Sequence, residues 1–127
     1  MGSSVKNSLL WIFEPFEDDP GFLRKRLFGF EAAYVDGLLC LAVGDGEEPW
    51  NGLLVCTSRD RHADLTAEFV QLAPHPVLGK WLYLSQREEE FEQVARAVVE
   101  AVKRRDVRVG VEPGVRKKRR AKRVIGS

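Results

Sequence analysis

The sequence predicts an α+β fold in which a small antiparallel sheet is covered by helices. Three apolar runs, KRLFGFEAAYV, LLCLAV and LLVCTS, follow one another with short polar segments between them, a pattern typical of antiparallel strands. Segments with apolar residues at helical spacing lie on both sides of these runs. We therefore expect the order α-β-β-β-α-β(β)-α in a chain of 127 residues, a length that suits one domain with one core.

The first predicted element is a short amphipathic helix over residues 4–14. Its apolar residues recur every three or four positions: Leu9, Ile12, Phe13 and Phe16. Ser3 or Ser4 can cap its start. Pro15 is expected to end or kink it, because proline has no N–H to donate to the helix. The EDDPG segment that follows is predicted to be a turn.

A β-hairpin is predicted next. The Asp36-Gly37 pair is typical of a two-residue type I′ turn, with KRLFGFEAAYV as the first strand and LLCLAVGD as the second. Gly29 lies inside the first run, where a glycine indicates a bulge or a close approach of another backbone. LLVCTS is predicted to be the third strand, after the polar loop GDGEEPWNG.

Two further helices are predicted around a last strand. Ser58 or Asp60 can cap the second helix, which is expected to run to Leu72 and to end at APHP. VLGKWLYL is the next predicted strand. Ser85 and Glu88 match the S-x-x-E capping box, so the longest helix is expected to begin at Ser85. Its apolar stripe comprises Phe91, Val94, Val98 and Val102.

The segment KRLFGFEAAYVDGLLCLAV resembles the opening hairpin of the TfoX N-terminal domain family. The residues that carry the resemblance are Arg26, Leu27, Phe28, Gly29, Tyr34, Asp36 and Gly37. It covers roughly residues 5–106 and concerns the N-terminal domain alone, without the C-terminal domain of TfoX proteins. The resemblance implies an α+β fold similar to that of the secretion-chaperone-like and YjbR-like proteins, and a regulatory role without catalysis.

The charges are distributed unevenly along the chain. Residues 1–115 contain thirteen basic and all nineteen acidic residues. The remaining basic residues are Arg116, Lys117, Lys118, Arg119, Arg120, Lys122 and Arg123. We therefore expect a single folded domain over residues 1–112 and a basic, disordered tail over residues 113–127. The tail is a candidate for sequence-nonspecific binding of nucleic acid through counterion release, or else it solubilises the chain or folds against the acidic domain.

The sequence shows no recognisable catalytic residues, cofactor-binding residues or metal ligands. His62 and His75 lack metal-ligand spacing to each other or to a cysteine, and surface or capping roles are expected for both. GDGEE lacks the Lys-Ser/Thr of a phosphate-binding loop and the ligand spacing of a calcium loop. Cys40 and Cys56 lie in apolar runs and are expected to be buried thiols, opposite each other if the second and third strands pair in a simple register.

The three tryptophans lie in different sequence contexts. Trp50 belongs to the polar loop, where it either anchors the loop on the core or marks an interface, since tryptophan is enriched in interfaces. Trp11 and Trp81 lie in apolar patterns and are expected in the core.

These observations favour a non-catalytic regulatory or protein-interaction module, linked by its resemblance to transcription or competence-type regulation, with a homodimer or another protein as partner. One alternative is nucleic-acid binding through the basic tail. Another is a small-ligand binder or enzyme without a recognisable motif. The chain has neither an apolar run near the roughly 20 residues of a membrane helix nor a secretory signal at its start, so we expect a cytoplasmic protein without a membrane partner.

Overall fold

The computed structural model of the protein describes residues 7–113. Its strands are β1 (Phe22–Leu27), β2 (Phe30–Val35), β3 (Leu38–Asp45), β4 (Asn51–Val55), β5 (Ala73–Pro74) and β6 (Leu82–Ser85). Its helices are α1 (His62–Glu68), α2 (Phe91–Lys103) and two 3₁₀ helices, Leu10–Phe16 and Arg59–Arg61. All strands pair antiparallel in one sheet of order β1-β2-β3-β4-β6-β5, which confirms the predicted α+β class. Within the described range no helix has the length and hydropathy needed to cross a bilayer.

The sheet has an inner face covered by helices and a more open outer face. The inner face packs against α1, α2 and the Leu10–Phe16 helix around fully buried side chains such as Phe16, Leu53 and Val98. The outer face carries a smaller cluster centred on Ala32, Ala42, Leu54 and Cys56. No helix is part of this second cluster among the described residues, and partly buried side chains from strands and loops, such as Leu27, Tyr83 and Trp81, pack against it.

The run KRLFGFEAAYV is a hairpin rather than the single strand that its apolar composition predicts. β1 and β2 pair directly from Leu27 opposite Phe30, and Phe28-Gly29 forms the turn between them with φ values of 53° and 83°. Both alternatives predicted for Gly29 are therefore wrong: it lies in a turn and not in a bulge, and a Cβ atom there would meet nothing within 4 Å. The predicted Asp36-Gly37 turn is present, with φ values of 52° and 87° that match a type I′ turn. The sheet thus has one more hairpin than the sequence indicates.

The helices also begin and end at other residues than the sequence predicts. The first described helix is a 3₁₀ helix that includes Pro15, while residues 4–6 of the predicted helix lie outside the described range. The second helix ends at Glu68. The predicted capping box is wrong, because Ser85 is the last residue of β6, Arg87 N–H donates to its side chain and α2 begins only at Phe91.

One arginine joins three segments that are distant in sequence. The Arg105 guanidinium donates to both carboxylate oxygens of Asp19 at 2.8 and 2.9 Å and to Asp36 at 2.8 Å. These contacts tie the end of α2 to the segment before β1 and to the β2–β3 turn. Because the guanidinium donates two hydrogen bonds to it, the pKa of Asp19 is lowered from 3.8 to about 2.

We expect this ion pair to stabilise the fold near neutral pH and to lose its effect in acid. A carboxylate whose pKa is lower in the folded protein stabilises the fold above its unfolded pKa, and the contribution is lost as pH falls from about 4 to about 2. Asp19→Asn should therefore lower the free energy of unfolding at pH 6, and its difference from the parent should shrink towards pH 2 in urea titrations. Asp18→Asn, at an exposed position without an ion pair in the described chain, is the control. A difference for Asp19→Asn that does not change with pH would contradict the assignment.

Candidate binding groove on the outer face of the sheet

The outer face of the sheet contains a long groove made of two adjoining depressions. The larger has a volume of about 1100 Å³ and the smaller about 810 Å³, and both are lined by Leu27, Phe28 and Trp81. Ala42 and Leu54 form an apolar floor in the larger one. We call the two depressions together the outer groove. Its two walls are the tip of the β1–β2 hairpin and the loop that precedes β6.

Phe28, at the tip of the β1–β2 hairpin, has an exposure and a backbone conformation that do not favour the stability of the fold. Its side chain is 92% exposed, and its φ of 53° lies in the left-handed region that bulky residues seldom adopt. The first position of such a turn suits asparagine or glycine much better. An exposed aromatic ring on a strained backbone at the mouth of a groove makes Phe28 a candidate for contact with a ligand.

Aromatic side chains continue from the floor of the groove to its second wall. The Trp50 ring lies 6.1 Å from Phe30 and 4.6 Å from His75, and His75 lies 5.0 Å from Tyr83, measured between ring centroids. Trp50 therefore anchors its loop on the sheet, as one interpretation of the sequence predicts, and it also lines the larger depression. The prediction that Trp11 and Trp81 are core residues is only partly right, because both are half-buried.

His75 holds the second wall in place. It is 1% exposed, its Nε2 lies 2.8 Å from the carbonyl oxygen of Pro49, and its Nδ1 accepts the N–H groups of Val77 and Leu78 at 3.0 Å each. Because Nδ1 accepts, Nε2 carries the proton and donates to Pro49. His75 thus links two loops as a capping residue, one of the two roles expected for it, whereas His62 makes a single contact with the Lys80 carbonyl.

Trp81 carries an unused hydrogen-bond donor in this wall. Its indole Nε1 is buried and has no hydrogen-bond partner among the described residues. Buried donors in folded proteins nearly always have a partner, because an unpaired one costs about 1–3 kcal/mol. A small displacement of the wall would let a ligand oxygen accept this N–H.

The charged groups around the groove leave positive charge available to a ligand. Arg59 and Lys80 line the smaller depression, and neither has a described carboxylate oxygen within 4 Å. The larger depression also reaches the other face of the β1–β2 hairpin, where Arg24 and Arg26 share the single carboxylate of Glu31 at 3.7 and 3.8 Å.

Two further acidic residues belong to the lining. Asp45 already accepts a hydrogen bond from the backbone N–H of Ser8 at 2.7 Å, and Glu112 lies at the end of the smaller depression. The lining therefore has more basic than acidic residues although the domain as a whole is acidic.

The described chain ends beside this groove. Val111 pairs with Leu39 through two backbone hydrogen bonds of 2.9 Å, and Pro113 lines the smaller depression. The seven basic residues predicted to bind nucleic acid, 116–123, lie outside the described residues. In sequence, the first of them, Arg116, follows Pro113 by three residues.

The cysteines do not form a reactive centre. Cys56 N–H donates to the Cys40 carbonyl at 2.9 Å, so the two residues are opposite each other, as the simple register predicts, but their side chains belong to the two different clusters. Burial raises the pKa of Cys40 to about 11 and that of Cys56 well above its usual range. Both thiols therefore stay protonated near neutral pH, which does not suit a nucleophile or a metal ligand. Residues 7–113 contain no cluster of three His, Cys, Asp or Glu side chains placed to hold a metal ion.

The residues that carry the family resemblance have different positions. Four of them form the tip of the β1–β2 hairpin: Arg26, Leu27, Phe28 and Gly29. Tyr34 lies on the outer face with the Lys25 ammonium 5.5 Å from its ring centroid, and Asp36 is bound by Arg105. Comparison with known protein families, with curated proteins and with solved structures finds no match to this chain.

The sequence does not single out Arg59, Lys80 or the unpaired donor of Trp81 as site residues. These residues lie near the β1–β2 hairpin only because of the order of the strands in the folded sheet. No local motif contains them together, so sequence patterns could not have identified the outer groove.

Proposed function

We propose that this protein is a non-catalytic regulatory module of the cytoplasm that binds nucleic acid in its outer groove. The observation that carries the proposal is Phe28, an exposed ring on a strained turn at the junction of the two depressions. The chain would then act as a relative of TfoX N-terminal domains.

Charge and surface chemistry support nucleic acid as the ligand. Cations beside a groove attract a phosphate backbone, and aromatic rings offer surfaces on which bases stack. Arg59 and Lys80, which form no ion pair within residues 7–113, provide cations on the groove itself. The seven cations that follow Pro113 in sequence add to them, so the domain and the basic segment would bind one polyanion together.

A protein partner or a second copy of the chain, both expected from the sequence, would compete for the same face. A protein ligand would need carboxylates opposite Arg59 and Lys80 and would also meet the seven cations after Pro113. A second copy would present the same excess of positive charge to the first. Charge complementarity therefore favours a nucleic acid.

Fluorescence anisotropy with labelled 20-mers, single-stranded and duplex, over a salt series tests the proposal. If the seven cations of the basic segment engage phosphates, log affinity should fall against log salt with a slope of about −5 for a single strand and about −6 for a duplex. The full chain with these seven residues changed to glutamine should bind more weakly and with a shallower slope. Absence of binding to both probes at low salt, with dimerisation in light scattering, would replace the proposal by self-association.

A further inference from the structure

We infer that the ligand of the outer groove is a single strand whose bases stack on Phe28 and whose phosphates lie along Arg59 and Lys80. This inference rests on the proposed function and adds the form of nucleic acid that the groove takes.

The lining of the groove fits separated bases rather than a duplex. In a duplex the base faces are stacked on one another and only edges and phosphates are accessible, so an apolar floor and an exposed ring gain nothing from it. In a single strand every base has a free face that an aromatic side chain can cover. Phe28, Trp50 and Trp81 all line the larger depression, which Ala42 and Leu54 close from below.

The size of the groove also suits a strand. Its larger depression, at about 1100 Å³, exceeds the roughly 300–1,000 Å³ of ordinary small-molecule sites. The smaller depression extends it on the other side of Phe28 and Trp81 and is lined by Arg59 and Lys80. A strand can therefore place bases in the apolar part and phosphates beside Arg59 and Lys80.

The groove offers few groups that distinguish one base from another. The indole N–H of Trp81 is an unused donor, and an oxygen of any base or phosphate can accept it. Stacking and phosphate contacts are tolerant of sequence. We therefore expect binding with little sequence preference.

Substitution of Phe28 separates this role from folding. Phe28→Asn removes the ring and places at φ 53° a residue that favours type I′ turns, so the fold should be as stable as the parent or more stable. Affinity for a labelled oligo(dT) 20-mer should nevertheless fall by roughly 5- to 160-fold, because a stacked base contributes about 1–3 kcal/mol. The Phe28→Trp variant keeps an aromatic ring, so its affinity for oligo(dT) should stay close to that of the parent. Thermal unfolding of each variant checks that the fold is retained.

A matched pair of charge variants tests the phosphate contacts. Arg59→Gln with Lys80→Gln should weaken oligo(dT) binding and reduce the salt slope by about 1.4, as expected for two lost contacts to a single strand. Lys103→Gln with Arg104→Gln removes the same charge at the end of α2, away from the groove, and should leave the slope unchanged.

Intrinsic fluorescence provides a readout that binding by the basic segment alone would not change. In a Trp11→Phe variant the remaining tryptophans, Trp50 and Trp81, both line the groove, so oligo(dT) should quench their emission. The inference is overturned if duplex binds as tightly as oligo(dT) and Phe28→Asn changes neither affinity; nucleic-acid binding by the protein would then still hold, but not its place in the outer groove. Loss of all binding to both probes would overturn the proposed function itself.

Discussion

His75→Ala is expected to lower the free energy of unfolding by about 3 kcal/mol. The substitution removes one hydrogen bond to the Pro49 carbonyl and two from backbone N–H groups, at a side chain that is 1% exposed. Each polar group left without a partner costs about 1–3 kcal/mol when it stays buried, and the missing ring also leaves a cavity beside Trp50 and Tyr83. Water can reach some of the released groups at the exposed end of the loop, so the sum stays well below the maximum.

Two further variants identify the source of this loss. His75→Asn offers a side-chain oxygen to the N–H group two residues ahead, as in an Asx turn, so it should recover part of the stability but not the link to Pro49. His62→Ala removes the more exposed histidine, which has one contact with the Lys80 carbonyl, and should change stability by less than about 0.5 kcal/mol. Urea unfolding of the three variants gives the comparison. Equal losses for His75→Ala and His62→Ala would show that the His75 hydrogen bonds do not hold the wall.

The fold class could be predicted from the sequence because local patterns suffice for it. The Asp36-Gly37 turn is recognisable from two residues whose backbone preferences match the turn. The apolar stripe of α2 follows from the helical period, and its members are buried as expected. These features depend on neighbours in sequence and not on the rest of the molecule.

The sequence does not predict the β1–β2 hairpin, because its turn begins with Phe28, a residue type that seldom occurs in such a turn. Phe28 is aromatic and flanked by apolar residues, so the segment has the composition of a continuous strand. The structure places this ring at a positive φ and in solvent. Local residue preferences and the overall fold disagree mostly at functional or strained sites, so the disagreement at Phe28 agrees with a functional role for this residue.

The start of the last helix was misplaced because strand pairing takes precedence over a capping motif. Leu82 and Leu84 are fully buried against β4, so the chain remains extended up to Ser85. The Ser85 hydroxyl then accepts the N–H of Arg87 in a turn. The pairing partner is some thirty residues away in sequence, and no local signal reports it.

Gly52→Ala is expected to destabilise the protein by about 2–6 kcal/mol. Gly52 lies in β4 with a φ of 132°, and a Cβ atom there would lie 2.1 Å from the Leu84 carbonyl oxygen and 2.9 Å from the Gln86 nitrogen. Both are backbone atoms of or next to β6, so no side-chain rotation can relieve the contact. The strained φ costs about 1–3 kcal/mol and the overpacking a further 1–3 kcal/mol.

Gly37→Ala separates the two contributions. Gly37 also has a positive φ, 87°, but a Cβ atom there would meet nothing within 4 Å, so only the backbone strain of about 1–2 kcal/mol should remain. Urea unfolding should therefore rank the parent above Gly37→Ala and Gly37→Ala well above Gly52→Ala. Equal losses in the free energy of unfolding for the two variants would mean that the backbones of β4 and β6 move apart at little energetic cost.

The same pair of variants connects the sheet to the groove. β4 contributes Leu54 to the groove floor, and β6 directly follows Trp81 in its wall, so the β4–β6 pairing sets the distance between floor and wall. Gly52→Ala should then weaken oligo(dT) binding even under conditions where the protein is still folded. Gly37→Ala, in the β2–β3 turn outside the groove lining, should leave the affinity of the folded protein unchanged. If both variants bind like the parent, the strand is held by the basic segment, and the spacing between β4 and β6 has no part in recognition.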